Sequence, residues 1–262
     1  MKANHYTNIA AYYEKWCEGD VAYLPCGAFY MEYLRGRRGV AAELGVGTGR
    51  IALPLSRQKG LKVYGVDNCP EMLAKCKEKM TPDADLELLL SDFLSFRLPE
   101  PADIIYMPFR TIGHILTDGG LRALLIQVNR NLKPGGLFLF DHAMFDRRWA
   151  AEDDGKQVVM YEDSRIRIVN QDFFDFEKNT AHCTVAVNGA IAEEFDFRWI
   201  EPRVIGALLP PCGFVCEKLY GDFDDTAWTE ESPNQIWVLK KRAQAVTQGA
   251  VLMTQGDGSL VS

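Results

Sequence analysis

The chain has 262 residues, of which 47% are apolar and 25% are charged, and its formal net charge is −7. This composition excludes disorder over the whole length, because there is enough apolar side chain to offset the entropy of ordering the chain. The acidic balance argues against a nucleic acid as the main partner, since nucleic-acid binders concentrate Lys and Arg.

The first predicted element is an amphipathic helical segment near the N-terminus. Tyr6, Ile9, Ala10, Tyr13 and Trp16 recur at i, i+3, i+4 and i+7, and this spacing places them on one face of a helix.

Strands and helices then alternate along the chain. We predict strands over 40–44, 62–66, 85–90, 103–107 and 137–140, and helices over 48–59, 70–79 and 120–132. Gly60 after the first of these helices and Pro70 at the start of the second match the usual residues at helix ends. This rhythm is typical of a parallel sheet with helices on both faces.

The pattern changes after Asp146. Residues 157–201 alternate apolar and polar side chains, and Asn188-Gly189 between two such runs is a two-residue hairpin signal. A helix over 202–209 and strands over 214–220 and 235–240 follow. We therefore predict N-terminal helices and an α/β core over 1–146, an inserted antiparallel sheet over 147–201, completion of the core over 202–242 and a loose tail over 243–262.

The cysteines and the lengths of the apolar runs indicate the cellular compartment of the protein. The seven cysteines lie in apolar stretches without C-x-x-C spacing, so we expect reduced core thiols and no zinc site. The longest apolar runs are shorter than the roughly 18 residues that span a bilayer, and the N-terminus lacks the apolar segment of a signal peptide. These features predict a cytoplasmic protein with no membrane partner.

A glycine-rich loop follows the first strand of the core. Glu43-Leu44-Gly45-Val46-Gly47-Thr48-Gly49-Arg50 lies at a strand-to-helix turn, where glycine allows sharp turns and close approach to a ligand. Asp67 ends the next strand, where a carboxylate grips a ribose in nucleotide-binding units. Arg50 takes the place of the last glycine of a dinucleotide loop, and Glu43 would repel a pyrophosphate. A ligand with an ammonium and a sulfonium fits better than NAD.

These residues resemble the first motif of class I S-adenosylmethionine (SAM)-dependent methyltransferases. Asp67 is similar to their ribose-binding acid, Ser91-Asp92-Phe93 to their adenine-side pair, and Leu132-Lys133-Pro134-Gly135-Gly136 to the turn before their fifth strand. The resemblance covers about residues 6–240. It implies a Rossmann-like fold with a seven-stranded, mostly parallel sheet, helices on both faces and an inserted antiparallel β-sheet, and it implies SAM as the cofactor.

The resemblance also implies which residues contact the cofactor. Glu43 and the loop would face its methionyl part, Asp67 and Asn68 its ribose, and Met72, Asp92 and Phe93 its adenine. Met107 would offer its backbone carbonyl, and Tyr13 resembles a tyrosine that covers the cofactor. The predicted cofactor-binding residues are Tyr13, Glu43, Gly45, Gly47, Gly49, Arg50, Asp67, Asn68, Met72, Asp92, Phe93 and Met107.

The segment after the fourth strand indicates the acceptor side. Ile112-Gly113-His114 resembles a segment of N,N-dimethyltransferases that act on sugar amino groups, so His114 is the candidate base or positioning residue, beside Tyr13. Arg110 departs from the pattern of those enzymes, and this departure argues against a sugar nucleotide as the substrate. Arg110 either pairs a substrate carboxylate or phosphate, or forms a structural ion pair. The predicted acceptor contacts are Tyr6, Trp16, Arg110, His114, Phe197 and Trp199.

Two further expectations concern metals and the inserted sheet. Asp141, His142 and Asp146 are candidates for a metal site like that of catechol-type methyltransferases, but the further acid and asparagine of that site are missing, so we predict no metal. In the segment 195–199 we expect Phe195, Phe197 and Trp199 to point inward and Asp196 and Arg198 outward. The sheet would cover the substrate or form a homodimer contact.

The sequence therefore predicts a SAM-dependent methyltransferase acting on a small molecule, with nitrogen favoured over oxygen or carbon as the acceptor atom. The alternatives are a SAM-binding protein without catalysis and an NAD-type oxidoreductase.

Overall fold

The computed structural model describes residues 6–243, so the predicted tail lies outside the described residues apart from Ala243. A seven-stranded sheet has the order β10-β11-β5-β4-β1-β2-β3, and a separate antiparallel sheet has the order β6-β7-β8-β9. The strands are β1 Gly39–Leu44, β2 Leu61–Asp67, β3 Leu86–Leu90, β4 Ala102–Met107, β5 Leu132–Ala143, β6 Gln157–Glu162, β7 Arg167–Asp175, β8 Thr180–Val187, β9 Ala190–Arg198, β10 Phe214–Tyr220 and β11 Asn234–Lys241.

Seven α-helices are present in the described part of the chain. They are α1 Tyr13–Glu18, α2 Tyr23–Tyr33, α3 Ala52–Leu55, α4 Pro70–Glu78, α5 Asp118–Asn131, α6 Arg147–Asp153 and α7 Pro202–Leu208, and a 3₁₀ helix spans Thr111–His114. No helix among residues 6–243 is both long and apolar enough to cross a bilayer.

Alternating side chains of the strands build a core on each face of the large sheet. Val40, Ala42 and Leu44 of β1 pack into the cluster that includes α5 and α7. Ala41 belongs to the opposite cluster, with α2 and α3. Strands β1–β5 are parallel, and β11 is antiparallel to both of its neighbours. The predicted fold class, a mostly parallel sheet between helices with an inserted antiparallel sheet, is confirmed.

The helix predicted over 48–59 was too long. Helix α3 covers only Ala52–Leu55, and turns flank it. Pro54 lies inside it, and a proline has no N–H to donate and restricts the residue before it. The fifth strand is longer than predicted, because β5 begins at Leu132 and includes the Lys133–Gly136 turn motif.

The N-terminal segment packs between the core and the inserted sheet. Its α-helix begins only at Tyr13, and turns precede it, but the predicted apolar face exists, with Ile9 and Ala10 buried in a third cluster. Six of the seven cysteines are buried as predicted, whereas Cys216 is exposed on β10. That strand is at the edge of the large sheet, so the prediction of a core thiol was wrong at Cys216.

The hairpin signal in the sequence corresponds to observed geometry. Asn188 and Gly189 both have positive φ, 52° and 83°, in the hairpin between β8 and β9, as a two-residue turn of this type requires. Thr117 caps α5 by accepting a hydrogen bond from the Gly120 N–H at 3.1 Å.

Candidate functional site

The glycine loop connects β1 to α3 at the carboxyl ends of the parallel strands. Gly45 and Gly47 have φ values of +73° and +53°, a region that L side chains rarely adopt. A Cβ on Gly45 would lie 2.8 Å from the Cγ2 atom of Thr111. The Gly47 N–H donates to Asp67 Oδ2 at 2.8 Å, so the loop and the end of β2 are connected directly.

A cavity of about 890 Å³ lies beside this loop, between the large sheet and the inserted sheet. Its position outside the carboxyl ends of the strands is the usual ligand position in open α/β sheets. It brings together the predicted residues Tyr6, Tyr13, Trp16, Gly45, Gly47, Asp67, Asn68, Met72, Asp92, Phe93, Arg110, His114, Phe197 and Trp199.

The other predicted residues lie outside this cavity. Glu43 and Arg50 line a pocket of about 30 Å³ beneath the loop. The Arg50 guanidinium packs over the ring of Tyr23 at 4.2 Å and donates to the Tyr23 carbonyl at 2.7 Å. A Cβ on Gly49 would meet side chains of α3 and α4, so Gly49 allows close helix packing. Met107 is fully buried in the core and lines neither space.

Glu43 is a buried acid at the end of β1. Its carboxylate accepts a hydrogen bond from the Tyr106 hydroxyl at 3.0 Å, and its exposed fraction is 3%. Burial raises the pKa of Glu43 to about 8, although the Tyr106 hydrogen bond opposes the rise. Glu43 is therefore mainly protonated at neutral pH.

Replacing Glu43 with glutamine should stabilise the protein at pH 8. Between the ordinary pKa of 4.5 and about 8, the unfolded chain has lost a proton that the native chain keeps. The free energy of unfolding thus falls as pH rises, by up to about 1.4 kcal/mol per pH unit, and glutamine removes this loss while preserving shape. Thermal unfolding at pH 5 and pH 8 tests this, with the exposed Glu152→Gln as the control. A lower Tm for Glu43→Gln than for wild type at pH 8 would contradict it.

Carboxylates dominate the charged lining of the large cavity. Its acids are Asp20, Asp67, Asp92, Asp153 and Asp172, and its Lys and Arg residues are Arg110 and Lys156. Asp67 accepts hydrogen bonds from the Gly47 and Cys69 N–H groups, and burial raises its pKa. Such a lining favours a ligand that carries positive charge. A sulfonium cofactor fits this lining and the glycine cradle.

His114 lines the large cavity and is enclosed by aromatic rings. The Tyr6 hydroxyl is 2.7 Å from His114 Nε2, and the ring centroids of Phe195 and Phe197 are 5.4 Å and 5.7 Å from that of His114. Burial lowers the pKa of His114 to about 4. The imidazole is consequently neutral at pH 7 and able to accept a proton.

Arg110 is held by an ion pair and by its own backbone. Its Nη1 lies 2.8 Å from Asp20 Oδ2. This contact is the structural ion pair that the sequence left open as the alternative to pairing with a substrate anion. Phe109 and Arg110 both have positive φ, and their N–H groups donate to Asp141 at 2.8 Å and 2.9 Å. The Nε atom of Arg110 is buried without a hydrogen-bond partner among the described residues.

The three residues considered for a metal have other roles. Asp141 accepts from the Tyr30 hydroxyl at 2.9 Å as well as from the loop after β4. His142 Nε2 accepts from the Ile200 N–H at 3.0 Å. Asp146 caps α6 by accepting from the first N–H groups of that helix. Each side chain therefore organises the backbone around the site.

The prediction that Arg198 points outward was wrong. Its side chain is only 15% exposed and donates to Asp118 Oδ1 at 2.6 Å. The reason is that β9 packs against the 3₁₀ helix, so the end of β9 is covered by the core. Phe195 is buried, Phe197 and Trp199 line the cavity, and Asp196 is exposed, as expected.

Sequence reasoning missed several residues that line the cavity. Asp20 follows α1, and Asn170, Asp172 and Cys183 lie on one face of β7 and β8. The period-2 pattern of the inserted sheet could have indicated the last three, since polar side chains on the inward face of a strand need partners.

Comparisons with known proteins agree with this geometry. Residues 41–136 match a family model described as a methyltransferase domain. The chain is 24% identical over 244 residues to "Putative methyltransferase YqeM" of Bacillus subtilis, covering 90% of this chain and 93% of the relative.

Two solved structures show the same fold. The CcbJ methyltransferase of Streptomyces caelestis superposes with a TM-score of 0.76 at 22% identity, covering 93% of this chain and all of that one. SAM-bound CalS10, an amino pentose methyltransferase of Micromonospora echinaspora, gives 0.59 at 18% identity, covering 88% and 95%.

Neither the oxidoreductase nor the non-catalytic alternative is supported by these matches. Residues 41–136 thus match a methyltransferase domain, and the whole chain has the Rossmann-like fold of the two solved methyltransferases, in agreement with the prediction from the four motifs.

Proposed function

We propose that this protein transfers a methyl group from SAM to a nitrogen atom of a small-molecule acceptor. The observation that carries this proposal is the neutral His114 imidazole in hydrogen-bond contact with Tyr6 inside an aromatic cavity. An amine that is methylated must lose a proton, and a neutral imidazole can accept one. A hydroxyl or carbon acceptor would have to lose its proton before or during the transfer, which needs a stronger base than an imidazole of lowered pKa, whereas a neutral amine attacks through its own lone pair.

The cofactor would occupy the side of the cavity nearest the glycine loop. Gly45 and Gly47 leave space there, Asp67 and Asn68 would hold the ribose, and Met72 would pack on the adenine beside Phe93 and Asp92. Glu43 and Arg50, beneath the loop, would act on the methionyl end through the smaller pocket. When bound, the cofactor supplies a methyl group already activated by its sulfonium.

The chain's own residues would then position the acceptor and exclude water. Tyr13 and Trp16 close the cavity from the N-terminal segment, and Phe197 and Trp199 close it from the inserted sheet. The Tyr6 hydroxyl orients the His114 ring through Nε2, and an incoming amine would displace this hydroxyl so that Nε2 could take the acceptor's proton. Alignment and desolvation of the two reactants supply most of the rate enhancement expected for a displacement on an activated methyl group.

The domain organisation fits this proposal. The unit over 1–146 would carry the cofactor, the insertion over 147–201 would cover the acceptor, and 202–242 would complete the core. We favour a small molecule over a nucleic acid because the cavity lining is mainly anionic. A homodimer contact through the inserted sheet stays a prediction.

Calorimetry with S-adenosylhomocysteine (SAH) and a methyl-transfer screen test the proposal. We expect SAH to bind in the micromolar range or tighter. We also expect radiolabel from SAM to appear on primary or secondary amines. Absence of SAH binding at high micromolar concentration would refute the cofactor site, and label on alcohols or carbon acids alone would refute nitrogen transfer.

A further inference from the structure

The inward face of the inserted sheet carries polar side chains that the proposed function does not use. In the strand register, Asp172 of β7 lies opposite Cys183 of β8, which lies opposite Phe195 of β9. Residues directly opposite each other share one face of a sheet, and all three line the cavity. Asn170 shares that face and accepts a hydrogen bond from the Trp16 indole at 2.7 Å.

Asp172 differs from Asn170 because part of its carboxylate is unpartnered. Its Oδ1 atom is shielded from solvent and has no hydrogen-bond partner in the described part of the chain. A shielded carboxylate oxygen is costly unless a donor reaches it. Burial raises the pKa of Asp172, Asp153 raises it further, and the Cys183 thiol lowers it. A cation bound at Asp172 would offset the cost of burial.

Asp172 and His114 lie at two ends of the acceptor space. Strands β7 and β9 are separated by β8, so their backbones are about 10 Å apart. Phe195 on β9 lies 5.4 Å from His114 and 5.5 Å from Tyr6 between ring centroids. A molecule that spans this distance would have two polar ends and an apolar middle against the aromatic rings.

The charged residues near Asp172 determine whether the second polar group of the acceptor is a cation or an anion. Arg110 is already paired with Asp20, and Asp153 lies on the same side as Asp172. Asp153 and Asp172 outnumber the exposed Lys156 at this end, so a second anionic group, such as a carboxylate or a diphosphate, would meet net repulsion. An ammonium would gain a charge-assisted hydrogen bond.

We propose that Asp172 determines acceptor specificity by binding the second ammonium group of a diamine whose other amino group lies at His114. The inference rests on the proposed methyl transfer to an amine and names its substrate class. Asp172 would not take part in the proton transfer. It would be a specificity residue that selects dications.

Three probes that share one ring and one aminomethyl group test this in the presence of SAH. They are p-xylylenediamine, with a second ammonium, 4-methylbenzylamine, with none, and 4-(aminomethyl)benzoate, with a carboxylate. Calorimetry should give wild-type Kd values in the order diamine, neutral amine, carboxylate, with at least about a tenfold step between the first two. Asp172→Asn should abolish that step, whereas Glu194→Gln, on an exposed part of the same sheet, should keep it.

The order of the three wild-type Kd values tests the inference even if the Asp172→Asn variant does not fold. The SAH affinity of the variant shows separately whether it has folded. Equal wild-type Kd values for the diamine and the neutral amine would overturn the inference. So would an undiminished step in a folded Asp172→Asn variant, or failure of all three probes to bind. In these cases, methyl transfer to other amines would leave the proposed function intact, because that reaction is measured independently.

Discussion

Replacing Asp67 with asparagine should weaken SAH binding about thirtyfold, which corresponds to the loss of charge-assisted hydrogen bonds. The carboxylate lies in the cavity at the end of β2, where it can accept hydrogen bonds from both ribose hydroxyls. It also accepts from the Gly47 N–H and from the Cys69 N–H through different oxygens. An amide offers only one oxygen, so one of these backbone donors would face an NH₂ group and the loop would lose its anchor.

Asp85→Asn is the matched control for this experiment. Asp85 is exposed and immediately precedes β3, at the opposite end of the parallel strands from Asp67. The variant changes the net charge equally and should leave the SAH Kd within about twofold of wild type. Calorimetry measures both variants, and thermal unfolding confirms that both fold. Wild-type affinity in a folded Asp67→Asn variant would show that the cofactor's ribose lies elsewhere.

The side of the cavity beside the glycine loop was largely predictable because its residues lie at strand ends. Gly45, Gly47, Asp67 and Asp92 each lie at the end of a strand or directly after it, and carboxyl ends of parallel strands meet at one edge of a sheet. Local sequence signals were therefore sufficient to predict that part of the cavity. The spacing of the apolar residues was sufficient to predict the strands of the sheet.

The side of the cavity around His114 depends on contacts between residues far apart in the chain. The Tyr6–His114 and Arg198–Asp118 pairs join residues 108 and 80 positions apart. No local pattern indicates such a pair, because it exists only once the inserted sheet and the N-terminal segment have packed on the core. The burial of Glu43 against Tyr106 has the same origin, since the two lie on neighbouring strands. By contrast, Pro54 was a local signal that should have shortened the predicted helix.

Replacing His114 with glutamine should lower kcat about a hundredfold, the lower end of the usual contribution of a general base. Glutamine can still hydrogen-bond to Tyr6, but it cannot accept a proton near neutral pH. The SAH Kd should change less than about threefold, because the proposed role concerns the acceptor. Because the pKa of His114 is lowered to about 4, the imidazole stays neutral above pH 5, and wild-type kcat should not fall between pH 8 and pH 6 through protonation of this group.

Two companion variants separate proton transfer from packing. Tyr6→Phe keeps the ring contacts with Phe195 and Trp16 but removes the hydroxyl that lies 2.7 Å from His114, so it should lower kcat less than His114→Gln does. His182→Gln, an exposed histidine on β8, should leave kcat unchanged. Measured with an amine identified by the methyl-transfer screen, an unchanged kcat in His114→Gln would remove this residue from the reaction. A rise in KM alone would instead assign His114 to acceptor binding, because an interaction equal in ground and transition states affects KM without kcat.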